Sequence, residues 1–451
     1  MMREPAFQLL PRPERTALAG KRLLVLGLGD TGLSVARWAE RQGARVRVAD
    51  TRRAPPRRAE FAGESRLGPF QPALLEGIDL LCISPGLSLA DPLIGEALAR
   101  SIPVLGDVEL FAWTNSAPVL AITGTNGKST VTALTGHLLK SAGIDAEVAG
   151  NISPPVLEAS MKRKTPPAAW VLELSSYQLE TTWSLTPRAA AMLNLSEDHL
   201  DRYAGVAEYG AAKARIFQGD GVQILNRDDA ASAAMALPGR RVVSFGLDAP
   251  PSPVAFGLAQ GWIVEGAARI LEASALPLHG AHNAANALAA CALARAFGLP
   301  RERLAKGLTS FHGLPHRLEL VATRAGVHWY DDSKGTNVGA TIAALRGLGT
   351  RAVLILGGEG KGQDFSPLRA PVGQFASRVL LIGRDAALIE AALAGLPSER
   401  CASLEAAVQR AAELAKPGEA VLLSPACASF DMFRDYQQRG EAFAAAVRAL
   451  A

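Results

Sequence analysis

The sequence predicts an α/β protein of three domains, and two observations carry that prediction. Three times along the chain a short apolar run enters a glycine-rich turn and then an amphipathic stretch, the strand, turn and helix order of a parallel sheet. The chain also has 451 residues, too many for one module at roughly 100–200 residues per domain. Apolar residues make up 49% and charged residues 20%, a balance that buries several cores and excludes a mainly disordered chain.

The first opening is Lys21 to Leu26, an apolar run entering Gly27-Leu28-Gly29-Asp30-Thr31-Gly32, followed by a helical stretch and a second strand ending at Asp50. The glycines allow a tight turn, the helix N-terminus offers free N–H groups to an anion, and Asp50 stands where an acid can hold a ribose hydroxyl. By itself the pattern fits a dinucleotide, another nucleotide, or a purely structural junction. The second opening is more specific. Pro118 to Ile122 leads into Thr123-Gly124-Thr125-Asn126-Gly127-Lys128-Ser129-Thr130 and a helix running through Leu139. Backbone N–H groups of such a loop wrap phosphates, the lysine adds a point charge, and the hydroxyl after it can ligate Mg²⁺. It is a shortened phosphate loop, because Ile122 stands where the longer consensus has glycine. The third opening, Ala352 to Leu356 into Gly357-Gly358-Glu359-Gly360-Lys361, predicts a strand-end loop with Lys361 at the ligand-binding edge of a sheet.

Charge and cysteines bound the function. Forty-seven basic and 43 acidic residues leave a formal net charge of +4, too little over this length to predict nucleic-acid or membrane binding. The run Arg52 to Arg58 reads as a solvated basic loop in which only Arg52 is given a role. The four cysteines, Cys82, Cys291, Cys401 and Cys427, lie far apart and read as reduced core thiols. Neither a signal sequence nor an unbroken apolar span is apparent, so a cytoplasmic protein without membrane insertion is expected.

Further runs, Glu173-Leu174-Ser175-Ser176-Tyr177-Gln178, Asn194 to Tyr203 (NLSEDHLDRY) and Ala211-Ala212-Lys213, together with the phosphate loop, resemble the Mur ligase family. Leu314-Pro315-His316-Arg317, Asp332 to Asn337 (DSKGTN) and Ser424 to Ser429 (SPACAS) narrow the resemblance to the branch that adds glutamate. It covers essentially the whole chain after about Leu23. The fold implied is an N-terminal Rossmann-like domain over 1–110, a central P-loop ATPase-like parallel sheet over 111–313, and a C-terminal Rossmann-like domain over 314–451. The activity implied is ATP-dependent addition of glutamate to UDP-N-acetylmuramoyl-L-alanine through an acyl phosphate, by a protein expected to be a monomer.

The resemblance also assigns residues. Lys128, His199, Lys213 and Lys334 would be catalytic. Thr123 to Ser129, with Asn283, Asn286, Arg317 and Asp332, would hold ATP. Ser129, Glu173, His199 and Lys213, the last as an N-carbamate, would serve two Mg²⁺ sites. Asp30, Thr31, Asp50, Thr51, Arg52 and Gly86 would hold the UDP end, and Asn151, Ser175 and Gln178 the muramoyl end. Thr336, Lys361, Ser429, Phe430 and Tyr436 would bind glutamate. Phe430 stands where leucine is expected, Tyr436 where phenylalanine is expected, and Gly335 where alanine is common, so D-glutamate and L-glutamate both stay open as acceptors. Read without the resemblance, Glu173 stands at the carboxyl end of a strand, where an acidic Mg²⁺ ligand is expected, with a solvated acid as the alternative, His199 is a structural histidine, Lys213 a surface charge and Asn283 a helix cap. A folylpolyglutamate synthase lacks the N-terminal unit, a nicotinamide dehydrogenase leaves Lys128 idle, and a non-catalytic UDP-sugar binder leaves Lys128 and Glu173 without a task.

Overall fold

A computed structural model describes residues 6–199, 202–278 and 280–450, so Leu200 and Asp201 of the run noted above lie outside the described residues. The first sheet is built from β1 (Arg22–Leu26), β2 (Arg45–Asp50), β3 (Glu64–Leu67), β4 (Leu80–Ile83) and β5 (Val104–Leu105). Its order is β3-β2-β1-β4-β5 and every pairing is parallel. The order reverses beside β1, which opens a crevice at the carboxyl ends of β1 and β4 where such sheets bind ligands. The helix Asp30–Arg41 starts directly above that crevice. Gly32 is obligatory there, since a Cβ would lie 1.8 Å from the Gly27 carbonyl oxygen.

The second sheet contains β6 (Val119–Thr123), β7 (Ala146–Gly150), β8 (Ala169–Glu173), β9 (Ala189–Met192), β10 (Val222–Asn226), β11 (Val242–Phe245), β12 (Phe256–Ala259), β13 (Trp262–Glu265) and β14 (Ala268–Glu272). The order is β14-β13-β12-β11-β10-β9-β6-β8-β7. Pairing is parallel from β7 through β12, and the last three strands form an antiparallel extension. That extension is a departure from the wholly parallel sheet expected. Its first turn is Gln260-Gly261, both at positive φ (50° and 79°), the geometry that joins adjacent antiparallel strands in two residues.

Side chains of the central strands alternate between two cores. Leu120 and Ile122 face the helices Lys128–Ser141 and Ala281–Phe297, whereas Val119 and Ala121 belong to a core continuous with the first sheet. Phe111 meets Trp170 edge-on at 5.1 Å within that shared core, so the first two sheets are welded by apolar packing.

The third sheet holds β15 (Glu319–Arg324), β16 (Val327–Asp331), β17 (Ala352–Gly357), β18 (Ala376–Ile382), β19 (Ser398–Arg400) and β20 (Ala420–Leu423), in the order β15-β16-β20-β17-β18-β19. Only the edge strand β15 pairs antiparallel. Leu354 and Leu356 face one core and Val353 and Ile355 the other, so this sheet is covered on both faces. Cys82, Cys291 and Cys427 are buried as expected, but Cys401 is only half-buried because it follows the edge strand β19. Among the described residues, no helix is long and apolar enough to cross a membrane.

Candidate active site

The phosphate loop joins β6 to the helix Lys128–Ser141. Gly127 sits at φ 82°, and a Cβ there would lie 2.4 Å from Asn286 Oδ1, so conformation and space both require glycine. Asn194 fastens the loop: its Oδ1 accepts from the Asn126 N–H at 2.8 Å and its Nδ2 donates to the Asn126 carbonyl at 3.1 Å. Lys128 Nζ donates to the carbonyls of Gly124 and Thr125, each at 2.8 Å. Burial lowers the Lys128 pKa, against the pull of Glu173 and Asp198. A half-buried ammonium whose hydrogen bonds go to carbonyls can still take a phosphate.

A cavity of about 320 Å³ opens over this loop and is lined by groups from the second and third sheets. Glu173 ends β8 and is buried. Its Oε1 accepts from Asn151 Nδ2 at 2.7 Å, while its Oε2 is buried with no hydrogen-bond partner. An orphaned carboxylate oxygen in a cavity that Ser129 and His199 also line fits a hard divalent cation. The solvated-acid alternative for Glu173 is thereby corrected.

His199 adopts a positive φ of 56° and packs on Tyr177 (4.9 Å between ring centroids) and Tyr209 (6.0 Å). Tyr209 and Lys213 lie one turn apart on the helix Val206–Ala214. Lys213 is not a surface charge: it is 1% exposed, its Nζ donates to the Gly124 carbonyl at 2.9 Å, and it lies 4.5 Å from the centre of the Tyr209 ring. Burial, and next the charge of Lys128, push its pKa well below the usual lysine value. Thr123, expected in the ATP site, is fully buried beneath the loop, with its Oγ1 3.4 Å from Lys213 Nζ.

The third sheet closes the other side. Arg317 Nη2 donates to Ser129 Oγ at 2.6 Å, and Asn337 Nδ2 donates to Asn126 Oδ1 at 3.1 Å. Lys334 lies 4.1 Å from the Tyr436 ring centre, and burial followed by the charge of Arg317 brings its pKa down to about 8. Thr336 and Lys361 complete the wall, with Lys361 at a positive φ of 53° in the loop after β17. Five basic side chains, Lys128, Lys213, Arg317, Lys334 and Lys361, therefore face one cavity.

A second cavity of about 460 Å³ occupies the crevice of the first sheet and is lined by Asp30, Thr31, Asp50, Thr51, Arg52, Gly86, Asn151 and Gln178. Burial alone would raise the Asp50 pKa, but hydrogen bonds from Arg52 and from the Leu28 N–H hold it below the usual carboxylate value. Asp30 is engaged by Arg57 Nε at 2.5 Å, an ion pair whose partners are 58% and 42% exposed, so the basic loop is solvated as expected. Asn151 lines both cavities, which makes them neighbours. Ser175 lines the first and Gln178 the second, and the two share a reciprocal capping box at the start of the helix Ser176–Glu180.

Several expected site residues lie outside both walls. Asn283 does not cap its helix, because Gly280 does; it accepts from Asn286 Nδ2 at 3.1 Å, and the pair is buried behind Gly127. Asp332 accepts from Ser424 Oγ at 2.7 Å and from the Leu318 N–H at 3.2 Å, and burial pushes its pKa up to about 7. Ser429 is buried, with its carbonyl taken by the N–H groups of Met432 and Phe433. Phe430 is 64% exposed, 5.5 Å from Lys361 Nζ to the ring centre. Tyr177, Asp198, Tyr209, Asn337 and Gln363 line the first cavity without having been singled out. Tyr177 and Asn337 fall inside the quoted runs, whereas Gln363 carried no signal.

This architecture of three sheets, with a basic cavity between the second and third, matches one family along the chain. Its N-terminal profile, described as "Mur ligase MurD-like, N-terminal domain", covers residues 21–106, the "Mur ligase middle domain" 122–294, and the "Mur ligase, glutamate ligase domain" 316–427. The chain belongs to the Mur ligase family. A relative from Thiobacillus denitrificans named UDP-N-acetylmuramoylalanine–D-glutamate ligase is 56% identical, with 96% of this chain and 97% of that protein covered. A protein of the same name from Nitrosospira multiformis is 54% identical, with 96% of each chain covered. Among solved structures, UDP-N-acetylmuramate-alanine ligase from Thermotoga maritima superposes with a TM-score of 0.62 at 18% identity, covering 95% of this chain and 99% of that one. A pseudomurein peptide ligase from Methanothermus fervidus gives 0.58 at 18% identity, covering 90% and 96%.

Proposed function

We propose that this protein is an ATP-dependent ligase that joins D-glutamate to UDP-N-acetylmuramoyl-L-alanine, the activity for which its relatives are named. The observation that supports it most directly is Asn151, shared by the nucleotide-sized crevice and the phosphate-loop cavity. A substrate whose UDP end rests on Asp50 and Arg52 can pass Asn151 and Gln178 and present its far carboxylate at Lys128.

A free carboxylate does not acylate an amine in water, so it is first activated. Its oxygen attacks the γ-phosphorus of ATP, the bond to the β-phosphate oxygen breaks, and ADP leaves from an acyl phosphate. The glutamate amine then attacks the acyl carbon, phosphate leaves, and the amine proton passes to solvent or phosphate. Lys128 and Arg317 neutralise the phosphates, and orientation supplies most of the remaining rate. Ser129 and Glu173 would hold one Mg²⁺, and His199 with carbamylated Lys213 a second. Bound there, Mg²⁺ would offset charge on the transferring phosphoryl group. Neutral Lys213 can add to CO₂, forming an N–C bond with loss of a proton. Lys334, Thr336 and Lys361 face the acceptor, the cations meeting its carboxylates. We take the enzyme to be a monomer working in the cytoplasm, where ATP is supplied.

Phosphate release should require ATP, Mg²⁺, UDP-N-acetylmuramoyl-L-alanine and glutamate together. ATP turnover indifferent to either of the other substrates would sink the proposal. The same assay with D- and L-glutamate in parallel reads the stereochemistry, and faster turnover of the L-form would overturn that part. Mass spectrometry of the native protein should show one carbamate on Lys213, lost on acidification.

A further inference from the structure

One charged residue inside the Asn194 to Tyr203 run is left without a task by the chemistry above, although its surroundings are unusually well defined. Arg202 has a side chain only 12% exposed, and its partner Glu180 is 4% exposed. Its Nη2 donates to Glu180 Oε2 at 2.5 Å. Its Nη1 donates across the domain boundary to two carbonyls of the first sheet's loop, Pro85 at 3.1 Å and Leu87 at 2.7 Å. The guanidinium carbon Cζ lies over the Tyr177 ring, 4.1 Å from its centre.

These four contacts join two sites. Pro85 and Leu87 flank Gly86 in the turn that walls the nucleotide crevice, opposite Asp50 and Arg52. Tyr177 lines the phosphate-loop cavity and packs against His199. Among the described residues, the hydrogen-bond ties of the turn to the rest of the first sheet all run through Ser84, whose N–H bonds to the Leu26 carbonyl and whose Oγ donates to the Gly27 carbonyl at 3.2 Å, while Leu87 N–H closes back onto Ser84. A buried guanidinium fits this task because its rigid fork can serve two carbonyls and a carboxylate at once while its face stacks on a ring, which an ammonium cannot do.

We propose that Arg202 is a positioning residue for nucleotide-sugar binding, holding the Pro85–Leu87 turn of the first domain at a set distance from the Tyr177 and His199 side of the reaction cavity. The inference rests on the reading of the crevice as the UDP-sugar site. Arg202 touches neither substrate; it sets the shape of the wall that one of them meets.

The test measures binding of UDP-N-acetylmuramoyl-L-alanine and of Mg²⁺–ATP separately, by calorimetry on the full-length protein, for wild type, Arg202→Met, Arg202→Lys and Glu180→Gln. Arg202→Met should weaken the UDP-sugar about tenfold or more, the scale of losing hydrogen bonds to a charged donor, and leave ATP within about twofold. Arg202→Lys, keeping charge and the Glu180 pair but not both carbonyl bonds, should fall between, and Glu180→Gln, which leaves the guanidinium in place but loosely anchored, should weaken the same ligand a few-fold. Steady-state kinetics should show KM for the UDP-sugar rising with kcat changed far less. Unaltered UDP-sugar binding in Arg202→Met, or equal loss of both ligands in all three variants, overturns the proposal. Failure of the wild type to bind the UDP-sugar would instead remove the functional reading, and the proposal with it.

Discussion

At the scale of single residues, the cavity is governed by how burial treats charge. Lys334 shows the consequence for pH. Its folded pKa of about 8 lies below the ordinary lysine value, so the ammonium is present below pH 8 and is lost as pH rises through it. If the charged form meets a carboxylate of the acceptor, kcat/KM for glutamate should fall above about pH 8. In Lys334→Arg, whose guanidinium stays charged, that limb should move several units upward even if the maximal rate drops. A pH profile with its limb unmoved in the arginine variant would count against the role. Glu173 supplies the second prediction at this scale. Glu173→Gln keeps an acceptor for Asn151 Nδ2 but removes the charge of the oxygen that has no partner. The Mg²⁺ concentration for half-maximal activity should rise at least tenfold while UDP-sugar binding is kept, and an unchanged Mg²⁺ dependence would exclude Glu173 as a ligand.

Elements explain why these residues are where they are. Both glycine-rich turns that line the two cavities follow a buried parallel strand, and each depends on a glycine, Gly32 or Gly127, for which the structure allows no substitute. Gly32→Ala forces a methyl group to 1.8 Å from a backbone oxygen, so the helix Asp30–Arg41 must move away from β1. A loss of about 1–3 kcal/mol is expected from such overpacking, read as a lower thermal midpoint, together with weaker UDP-sugar binding and unimpaired ATP binding. Alanine tolerated at this position would show that the turn can relax. These elements were legible because the strand, glycine and helix order is local in the sequence. The antiparallel β12 to β14 extension was not, since Gln260-Gly261 is a weak hairpin signal and the strands around it lack a clean alternation. Lys213 was read from its neighbours as exposed, because nothing within its own helix reveals that the phosphate loop and Tyr209 cover it.

For the molecule as a whole, the reaction cavity exists only because the third sheet is docked on the second. Arg317 and Ser129, hydrogen-bonded at 2.6 Å, are 188 residues apart in the chain. The Asn337 to Asn126 bond is the companion contact, and it can be removed without touching a cation. Asn337→Ala should cost about 1 kcal/mol of that docking. With closure needed for turnover, the cost should appear as roughly a fivefold rise in KM for ATP and no change in UDP-sugar affinity. Equal KM values for ATP in variant and wild type would show that this contact does not help to close the site. The net charge of +4 gives no hint of such a centre, because a total over the whole chain does not show that five basic side chains converge on one cavity.

The sequence by itself determined the three α/β units, the phosphate loop with Lys128 and Ser129, the acid at the end of β8, and the runs that carry the family's signature. Each is encoded within a few consecutive residues, where backbone geometry and side-chain chemistry are set by near neighbours. Only the tertiary structure decided which charges are buried, that Lys213 is held where burial disfavours its charged form, that Asn151 joins the two cavities, and that Arg202 ties a turn of one domain to the aromatic wall of another. Those properties depend on groups distant in the chain, since desolvation and hydrogen bonding act through space and have no local trace in the order of residues.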